Sequence, residues 1–595
     1  MRSGISIPPI DFSKLKFTPI FAVLFLSGIL AYHQAIFFPF VHDDIVFIRQ
    51  NPHIAALAQV SDFFKPGERI VSIANSYWRP ALEAVYRGEY QLFGFNPHGY
   101  HFLNILLHIL NSSLVFYCLH IIFKKSGMTR SGIAFAVALV FLLHPVQSET
   151  VACVSGISNL LYVFFCLLSF WLYLRSATGL ALIVYALALL TKEQAIIFPF
   201  LVLLYEYCFG TDRDKNAVDR FSRLGRFFLV AILYFIVRKI IFGAALVPLL
   251  QYQQELFLRL LAIPRTLLMY FQILLWPQGL HYYRSIDILM PWQSSAVGLA
   301  IVAAGISALT FALKQITRPL LFALGWFFIT LLPTLNIIPI VHEYSYIAAF
   351  EHFLYLPLAG FFLYIFLCLD LLFYKIFKSD YKKMGILAVG LLSLIYLGLT
   401  VRQNYYWRAE VPLFERVVKY ENFGRIHFLL GRAYYFDQKY DAAIQELNTG
   451  IAIMQSYLDK IKDPSAKPFY LGFIKEMGFD LAHAYEAKGE WSRALEQYQK
   501  ILSLPTGESA GIYNNIGNVY VQLNDLVQAK EHFEKAVHLD PRHLRALSNL
   551  AVCHIREGNL PEAEKRLREA LAIDSQFPPA RQNLEQLLLQ KKNTP

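Results

Sequence analysis

The sequence predicts an all-α chain in two parts, a polytopic membrane body of about eleven spanning helices followed by a soluble arm of repeated helix pairs. Three observations carry this. Apolar residues crowd into the first 401 positions in runs of roughly 15 to 22, close to the ~20 that a spanning helix needs. After Arg402 the composition turns to that of a soluble protein. Within that later part the chain resembles itself at an offset of about 34 residues, the mark of stacked supersecondary units.

With 56% hydrophobic, 15% aromatic and 16% charged residues in 595, the chain is too apolar for one soluble core and long enough for more than one domain. The formal net charge of +11 fits cytoplasmic loops facing anionic lipid, so no nucleic-acid partner is expected. Six cysteines lie scattered, most of them (Cys118, Cys166, Cys208, Cys368) inside apolar runs and without a CxxC pair. Neither a disulfide framework nor a zinc site is expected from them. Arg2, Lys14 and Lys16 precede a long apolar run with no small-residue cleavage site, which reads as an uncleaved first span.

The apolar runs fall at about 17–38, 101–123, 131–147, 158–174, 178–190, 195–209, 224–242, 264–277, 292–313, 319–335, 352–373 and 384–401. Were all twelve to cross, the cluster Lys375, Lys378, Lys382, Lys383 would oppose Lys124, Lys125, Arg130 and the Arg213–Arg226 loop, against the positive-inside rule. The run 264–277 is the weakest, at ~14 residues, bounded by Arg259, Arg265 and two prolines, and suits the interface better. Eleven spans then gather Arg175, Lys314, Arg318 and the Lys375 cluster on the cytoplasmic side. The other side receives Asp43, Asp44, His144, Lys192, Arg284, Glu351 and everything after Val401. The expected division is a body over 1–401 with an external loop at 39–100, a linker at 402–423 and a repeat domain at 424–592.

In that domain SAGIYNNIGNVYVQLNDLVQAKEHFEKAVHLDP (509–541) aligns with RHLRALSNLAVCHIREGNLPEAEKRLREALAIDS (542–575). Gly517 matches Ala551, Ala529 matches Ala563 and Ala536 matches Ala570, small residues where two antiparallel helices must touch. This is the pattern of a tetratricopeptide repeat. Four copies are expected, at 424–457, 475–508, 510–543 and 544–577, with an insertion around Ser456–Pro468 and a cap over Pro579–Gln590. Such arrays present a concave surface to peptide or protein; the bland alternative is a structural appendage.

Ionisable residues beside spanning segments are costly unless they do something. Asp43 and Asp44 follow the first run; adjacent side chains diverge in any regular backbone, so one would act as a base and the other as an orienting or cation-pairing group. The bland reading is a solvated loop. Arg79, in YWRP, could pair with Asp44, hold a phosphate, or lie on an interfacial helix. His98, His101 and His108 have no acidic partner among them, so packing or phosphate contact is favoured over a metal. His144 and Glu149 end the third run, and Lys192 and Glu193 interrupt two short ones; Lys192 would either snorkel or neutralise a lipid phosphate. Arg284 with Asp287, and Glu351 with His352, complete the set. No GxxxxGK[ST], GxGxxG or HExxH occurs, which argues against a nucleotide-driven pump, a Rossmann enzyme and a zinc protease.

Taken in order, VHDDIVFIRQNP, YWRP, GYHFLNILLH, HPVQSETVACVSGISNLL, TKEQ and EHFLYLPLAG resemble the motif series of the transmembrane, tetratricopeptide-repeat-containing O-mannosyltransferases, polytopic glycosyltransferases of the GT-C class. The resemblance covers the body and the repeats. It implies transfer of a sugar, expected to be mannose, from a polyprenyl-phosphate donor to an acceptor hydroxyl, with inversion, on the non-cytoplasmic face. The expected acceptor is Ser or Thr of a protein, docked on the repeats. Asp43 is implied as general base with Asp44 its support, and Arg79, His101, His144, Glu149, Lys192, Glu193, Arg284, Asp287 and Glu351 as substrate-binding residues. Fixed cations would serve the phosphate, so no obligatory metal or other cofactor is expected. His352 stands where the family has Arg, and four repeats are fewer than in its animal members. A bacterial inner membrane with a periplasmic repeat domain is expected ahead of an endoplasmic reticulum membrane with a lumenal one. The competing readings are a non-enzymatic receptor or scaffold acting through the repeats, and a transferase acting on a lipid or glycan.

Overall fold

Every apolar run forms a helix. The computed structural model describes residues 19–51, 54, 78–128, 130–210, 217–242, 253–287, 293–312, 318–335, 346–460, 467–505 and 507–593. Arg2, Lys14, Lys16, Tyr77, Arg213, Lys314 and most of the expected external loop lie outside them. The chain divides into two compact units between Arg416 and Val417.

The first unit runs through α1 (Pro19–Tyr32), α2 (Pro80–Phe93), α3 (Pro97–Lys125), α4 (Ser131–Leu143), α5 (Ser148–Ala152), α6 (Ile157–Leu174), α7 (Thr178–Thr191) and α8 (Phe198–Phe209). It continues with α9 (Ala217–Phe242), α10 (Gln253–Leu275), α11 (Gln293–Ala312), α12 (Arg318–Leu331), α13 (Pro357–Phe377), α14 (Tyr381–Asn404) and α15 (Glu410–Val418). A short antiparallel ribbon, β1 (Ser285–Asp287) against β2 (Tyr346–Ala348), pairs Ser285 with Ala348 and Asp287 with Tyr346. One continuous apolar core extends from Leu24 to Tyr396.

Among the described residues five helical segments are long and apolar enough to cross a membrane: Pro19–Phe37, Pro97–Lys125, Val154–Leu174, Pro357–Phe377 and Tyr381–Arg408. Helix α4 and the segment Pro145–Ala152, bent by 49°, make a sixth if taken as one broken span. Length removes some of the eleven expected runs from this set, while α9 (26 residues) and α10 (23 residues) are long enough but carry more charge. Helix α7, with 14 residues, reaches about 21 Å at 1.5 Å per residue, short of the ~30 Å hydrocarbon layer. The run expected to lie in the interface is the second half of a 23-residue helix, α10, with Pro264 inside it.

Local chemistry explains the breaks that matter for the site. Helix α3 starts on Asn96–Pro97, where the Asn96 side chain accepts from His98 N at 3.1 Å and proline fills a position whose N–H has no helical partner. Helix α4 stops before Pro145, since the residue ahead of a proline is driven out of the helical region. Asn104 of α3 then ties down the bend beyond α5, its amide donating to the carbonyls of Cys153 at 2.8 Å and Val154 at 3.3 Å. Gly156 closes that bend, because a side chain there would overlap the Thr150 carbonyl.

The second unit is a stack of helix pairs: α16 (Gly424–Phe436) with α17 (Tyr440–Lys460), α18 (Lys467–Ala487) with α19 (Trp491–Leu502), α20 (Ala510–Gln522) with α21 (Leu526–Leu539), and α22 (Leu544–Arg556) with α23 (Leu560–Ile573). Helix α24 (Pro578–Asn593) follows them. Ala443, Ala494, Ala529 and Ala563 are fully buried where paired helices meet, and Gly517 lies against the Phe533 ring. Among the described residues the fold is therefore all-helical apart from the ribbon, with a tetratricopeptide solenoid at its C-terminal end. The stretch 402–423 carries the end of α14, a turn at Tyr405–Arg408 and α15, so much of it is helical.

Candidate functional site

After α1 the chain leaves through a tight turn and reaches His42, whose φ of 50° lies in the left-handed region that non-glycine residues avoid. The next two residues face opposite ways. Asp44 is fully buried and accepts hydrogen bonds from Ser155 N at 2.7 Å, Val41 N at 3.2 Å, Val154 N at 3.3 Å and Cys153 Sγ at 3.3 Å. It thereby fastens the loop to the bend after α5. Burial pushes its carboxyl up to about 6 although all four hydrogen bonds pull the other way. Asp43 is 42% exposed, with His42 Nε2 3.3 Å from Oδ1 and the Tyr282 hydroxyl 3.5 Å from Oδ2. Of the pair, only Asp43 offers its carboxylate to a group arriving from outside.

A cationic group is built from α6, α7 and the residues before α2. Arg79 pairs not with Asp44 but with Glu193, Nε to Oε2 at 3.1 Å and Nη2 to Oε1 at 2.6 Å. Burial alone would raise the Glu193 carboxyl, yet the Arg79 guanidinium holds it down at about 2. Lys192 caps the end of α7, almost completely buried, and donates to Asn159 Oδ1 at 2.6 Å. Its ammonium is lowered to about 7 by burial and by the like charge of Arg79, against the pull of Glu193 and Glu149.

A third group joins α5 to the turn before α13. Glu149 accepts from His352 N at 2.9 Å and lies 2.6 Å from His352 Nδ1, so the histidine that replaces the expected arginine is engaged by a carboxylate. Glu351 Oε1 accepts from His281 N at 2.7 Å and from Arg284 Nη2 at 3.3 Å. Burial, with Glu149 adding to it, lifts the Glu351 carboxyl to about 8 against the charge of Arg284. Arg284 also donates to Gly279 O at 2.9 Å, and Asp287 sits at the end of β1 paired with Tyr346. Helix α5 thus carries Glu149, and the bend that follows it carries the donors to Asp44.

Two expected binding residues are turned inward. His144 is fully buried, Nδ1 accepting from Val146 N at 3.2 Å and Nε2 lying 3.1 Å from Leu274 O, so both nitrogens secure the break after α4. His101 is fully buried, edge-on to Phe38. Sequence reasoning missed His42, Tyr282, Cys153, Asn159, Glu410 and Glu89. Glu89 on α2 is 2% exposed, and neither carboxylate oxygen is hydrogen-bonded among the described residues. Burial, with Asp44 adding to it, raises Glu89 to about 9, so it is a neutral acid at pH 7. Among the described residues no cluster of three or more His, Cys, Asp or Glu is arranged to hold a metal ion.

An apolar helical body that breaks its spans to gather acids and cations, followed by a tetratricopeptide solenoid, defines a polytopic membrane protein with a polar site at helix ends. Tetratricopeptide repeat models match residues 479–509 and 520–594. The chain is 23% identical over 670 aligned residues to human Protein O-mannosyl-transferase TMTC3, covering 90% of this chain and 70% of that protein. To Drosophila melanogaster Protein O-mannosyl-transferase Tmtc3 it is 24% identical, covering 96% and 66%. Against human Protein O-mannosyl-transferase TMTC1 the match is 29% identical, over 33% of this chain and 24% of that one, so the chain spans about a quarter of that relative's length. The crystal structure of MamA aligns with 28% of this chain and 86% of its own at 22% identity, with a TM-score of 0.23. The chain is thus similar, over most of its length, to proteins named protein O-mannosyl-transferases.

Proposed function

We propose that this chain is a membrane glycosyltransferase that moves a sugar, mannose by the names of its relatives, from a polyprenyl-phosphate carrier to a hydroxyl of a protein Ser or Thr. The transfer takes place with inversion on the non-cytoplasmic face, in a bacterial inner membrane. The observation that carries the reading is the exposed Asp43 carboxylate beside His42 and Tyr282, in a body that also holds Lys192 against Asn159, Arg79 against Glu193 and Arg284 against Glu351.

The acceptor oxygen attacks the anomeric carbon while Asp43 takes its proton. The bond from that carbon to the phosphate oxygen breaks, and the lipid phosphate leaves with the electron pair. One displacement inverts the centre. An aspartate of ordinary basicity is a weak base for an alcohol, so position is what counts, and such a base contributes roughly 10² to 10⁴ in rate. Negative charge grows on the leaving phosphate, and buried cations stabilise it more than solvated ones would. Lys192 is the first of these, with Arg79 and Arg284 constrained by Glu193 and Glu351. No metal is required by this scheme. Asp44 keeps the loop folded, and the solenoid receives the acceptor protein.

Purified protein in nanodiscs, incubated with a panel of polyprenyl-phosphate sugars and Ser/Thr peptides, is expected to give glycosylated peptide from the mannosyl donor, read by mass spectrometry. Transfer to lipid alone would replace the acceptor; no transfer from any donor would favour a scaffold.

A further inference from the structure

The two side chains that reach Asp43, His42 and Tyr282, are both contacted by one stretch, residues 403–416, that begins in the last turn of α14 and runs into α15. Glu410 Oε1 accepts from the backbone N of His42 at 3.1 Å. The His42 ring stands edge-on to Phe414, centroids 5.4 Å apart at 90°, and the Tyr282 ring stands edge-on to Trp407 at 5.8 Å and 89°. Gln403 Nε2 and Arg416 Nε donate to the carbonyl of Leu280, two residues before Tyr282, at 3.3 and 3.1 Å. His42 Nε2 in turn lies 3.0 Å from the Tyr282 hydroxyl.

His42 needs such support. A left-handed backbone is sterically unfavourable for a non-glycine residue, so it persists only where the surroundings impose it. Its N–H goes to Glu410, and a carboxylate is a stronger acceptor for it than water or a neutral oxygen. Were the bend at His42 to relax, Asp43 would swing relative to Asp44, which the bend after α5 holds in place.

We propose that Glu410 is a positioning residue for Asp43: by accepting the His42 N–H it fixes the left-handed bend that turns the Asp43 carboxylate outward beside Tyr282. This rests on Asp43 being the base. The stretch 403–416 is then part of the catalytic apparatus and not merely the way out of the membrane body.

The test compares the full-length wild type with Glu410→Ala, Glu410→Gln and Asp43→Asn in nanodiscs, using mannosyl-phosphoryl polyprenol and a Ser/Thr peptide as probes. Glu410→Ala is expected to lower kcat by about tenfold to a hundredfold, the scale of a misplaced catalytic group, with both KM values within about twofold. Glu410→Gln, whose amide oxygen still accepts from His42 N, is expected to keep kcat within about threefold of wild type. If Glu410→Ala loses its thermal transition, Phe414→Leu, which removes the ring packed on His42, should show the same fall in kcat with KM preserved. Wild-type kcat in Glu410→Ala, or equal damage in the Gln and Ala variants, would overturn the proposal while leaving the base in place, provided Asp43→Asn is inactive. Full turnover in Asp43→Asn would overturn the base and this inference together.

Discussion

Replacing Lys192 by arginine separates charge from its titration at the buried cation. Burial and Arg79 bring the Lys192 ammonium down to about 7 in the unliganded protein. About half of the molecules then carry the charge at pH 7, roughly a tenth at pH 8 and roughly a hundredth at pH 9, since one pH unit is a factor of ten in the ratio of the two forms. A phosphate placed against this group favours its charged form, so donor binding above pH 7 must draw a proton onto it. The expected result is an apparent donor KM that is flat below about pH 7 and climbs by up to about tenfold per unit above it. Arginine stays charged throughout, so Lys192→Arg should give a flat profile whatever its kcat. The same titration acts on folding. The folded pKa lies below the unfolded value of ~10.4, so between about pH 7 and 10 the unfolded chain holds more protons. Stability of the unliganded wild type should therefore rise with pH across that window, and that contribution should vanish in Lys192→Arg. Initial rates at several donor concentrations from pH 6 to 9.5 read the first effect and thermal unfolding the second. A wild-type donor KM that does not change from pH 6.5 to 9, or an equal slope in Lys192→Arg, would refute the assignment of this lysine to the phosphate.

Two further outcomes follow from the same geometry. Gly156→Ala sets a methyl group against the Thr150 carbonyl and displaces the Val154 and Ser155 N–H groups that hold Asp44; a loss of about 1–3 kcal/mol is expected, with a lowered melting temperature and reduced transfer. An unaltered melting temperature would show that this bend is not tightly built. In a double-mutant cycle, Arg79→Ala and Glu193→Ala should each destabilise, and together cost less than their sum by about 1–3 kcal/mol, because either alone leaves the other charge partly buried and unpaired. Strict additivity in denaturant unfolding would mean that the pair is decoration.

The helices were legible because their signals are local. Each apolar run became a helix, and Gly517, Ala529 and Ala563 identified where paired helices touch. What composition hides is how a run ends: Pro145 breaks α4, and short helices such as α7 look like spans to a hydropathy count but not to a ruler. Helix α2 went unread because its buried side, Leu82, Tyr86 and Glu89, includes an acid. The site was legible as residue types and not as pairs. That Asp43 and Asp44 diverge follows from adjacent positions on any backbone; which of them faces out depends on Val154 and Ser155, 110 and 111 residues away, and on Tyr282, 239 away. Arg79 meets Glu193 across 114 residues, a partner that no local pattern announces. His144 stands among the expected substrate-binding residues, whereas the proline after it was the better clue, since both its nitrogens hold the break that Pro145 makes.

The claim at the centre is that Asp43 removes the acceptor proton. Turnover of Asp43→Asn measures it most directly, with mannosyl-phosphoryl polyprenol and a Ser/Thr peptide, beside a melting curve. Asp43 is half-exposed and, among the described residues, reached by the His42 and Tyr282 side chains, so the variant should melt like the wild type while transfer falls by about 10² to 10⁴. Transfer at the wild-type rate by a folded Asp43→Asn protein would contradict the account.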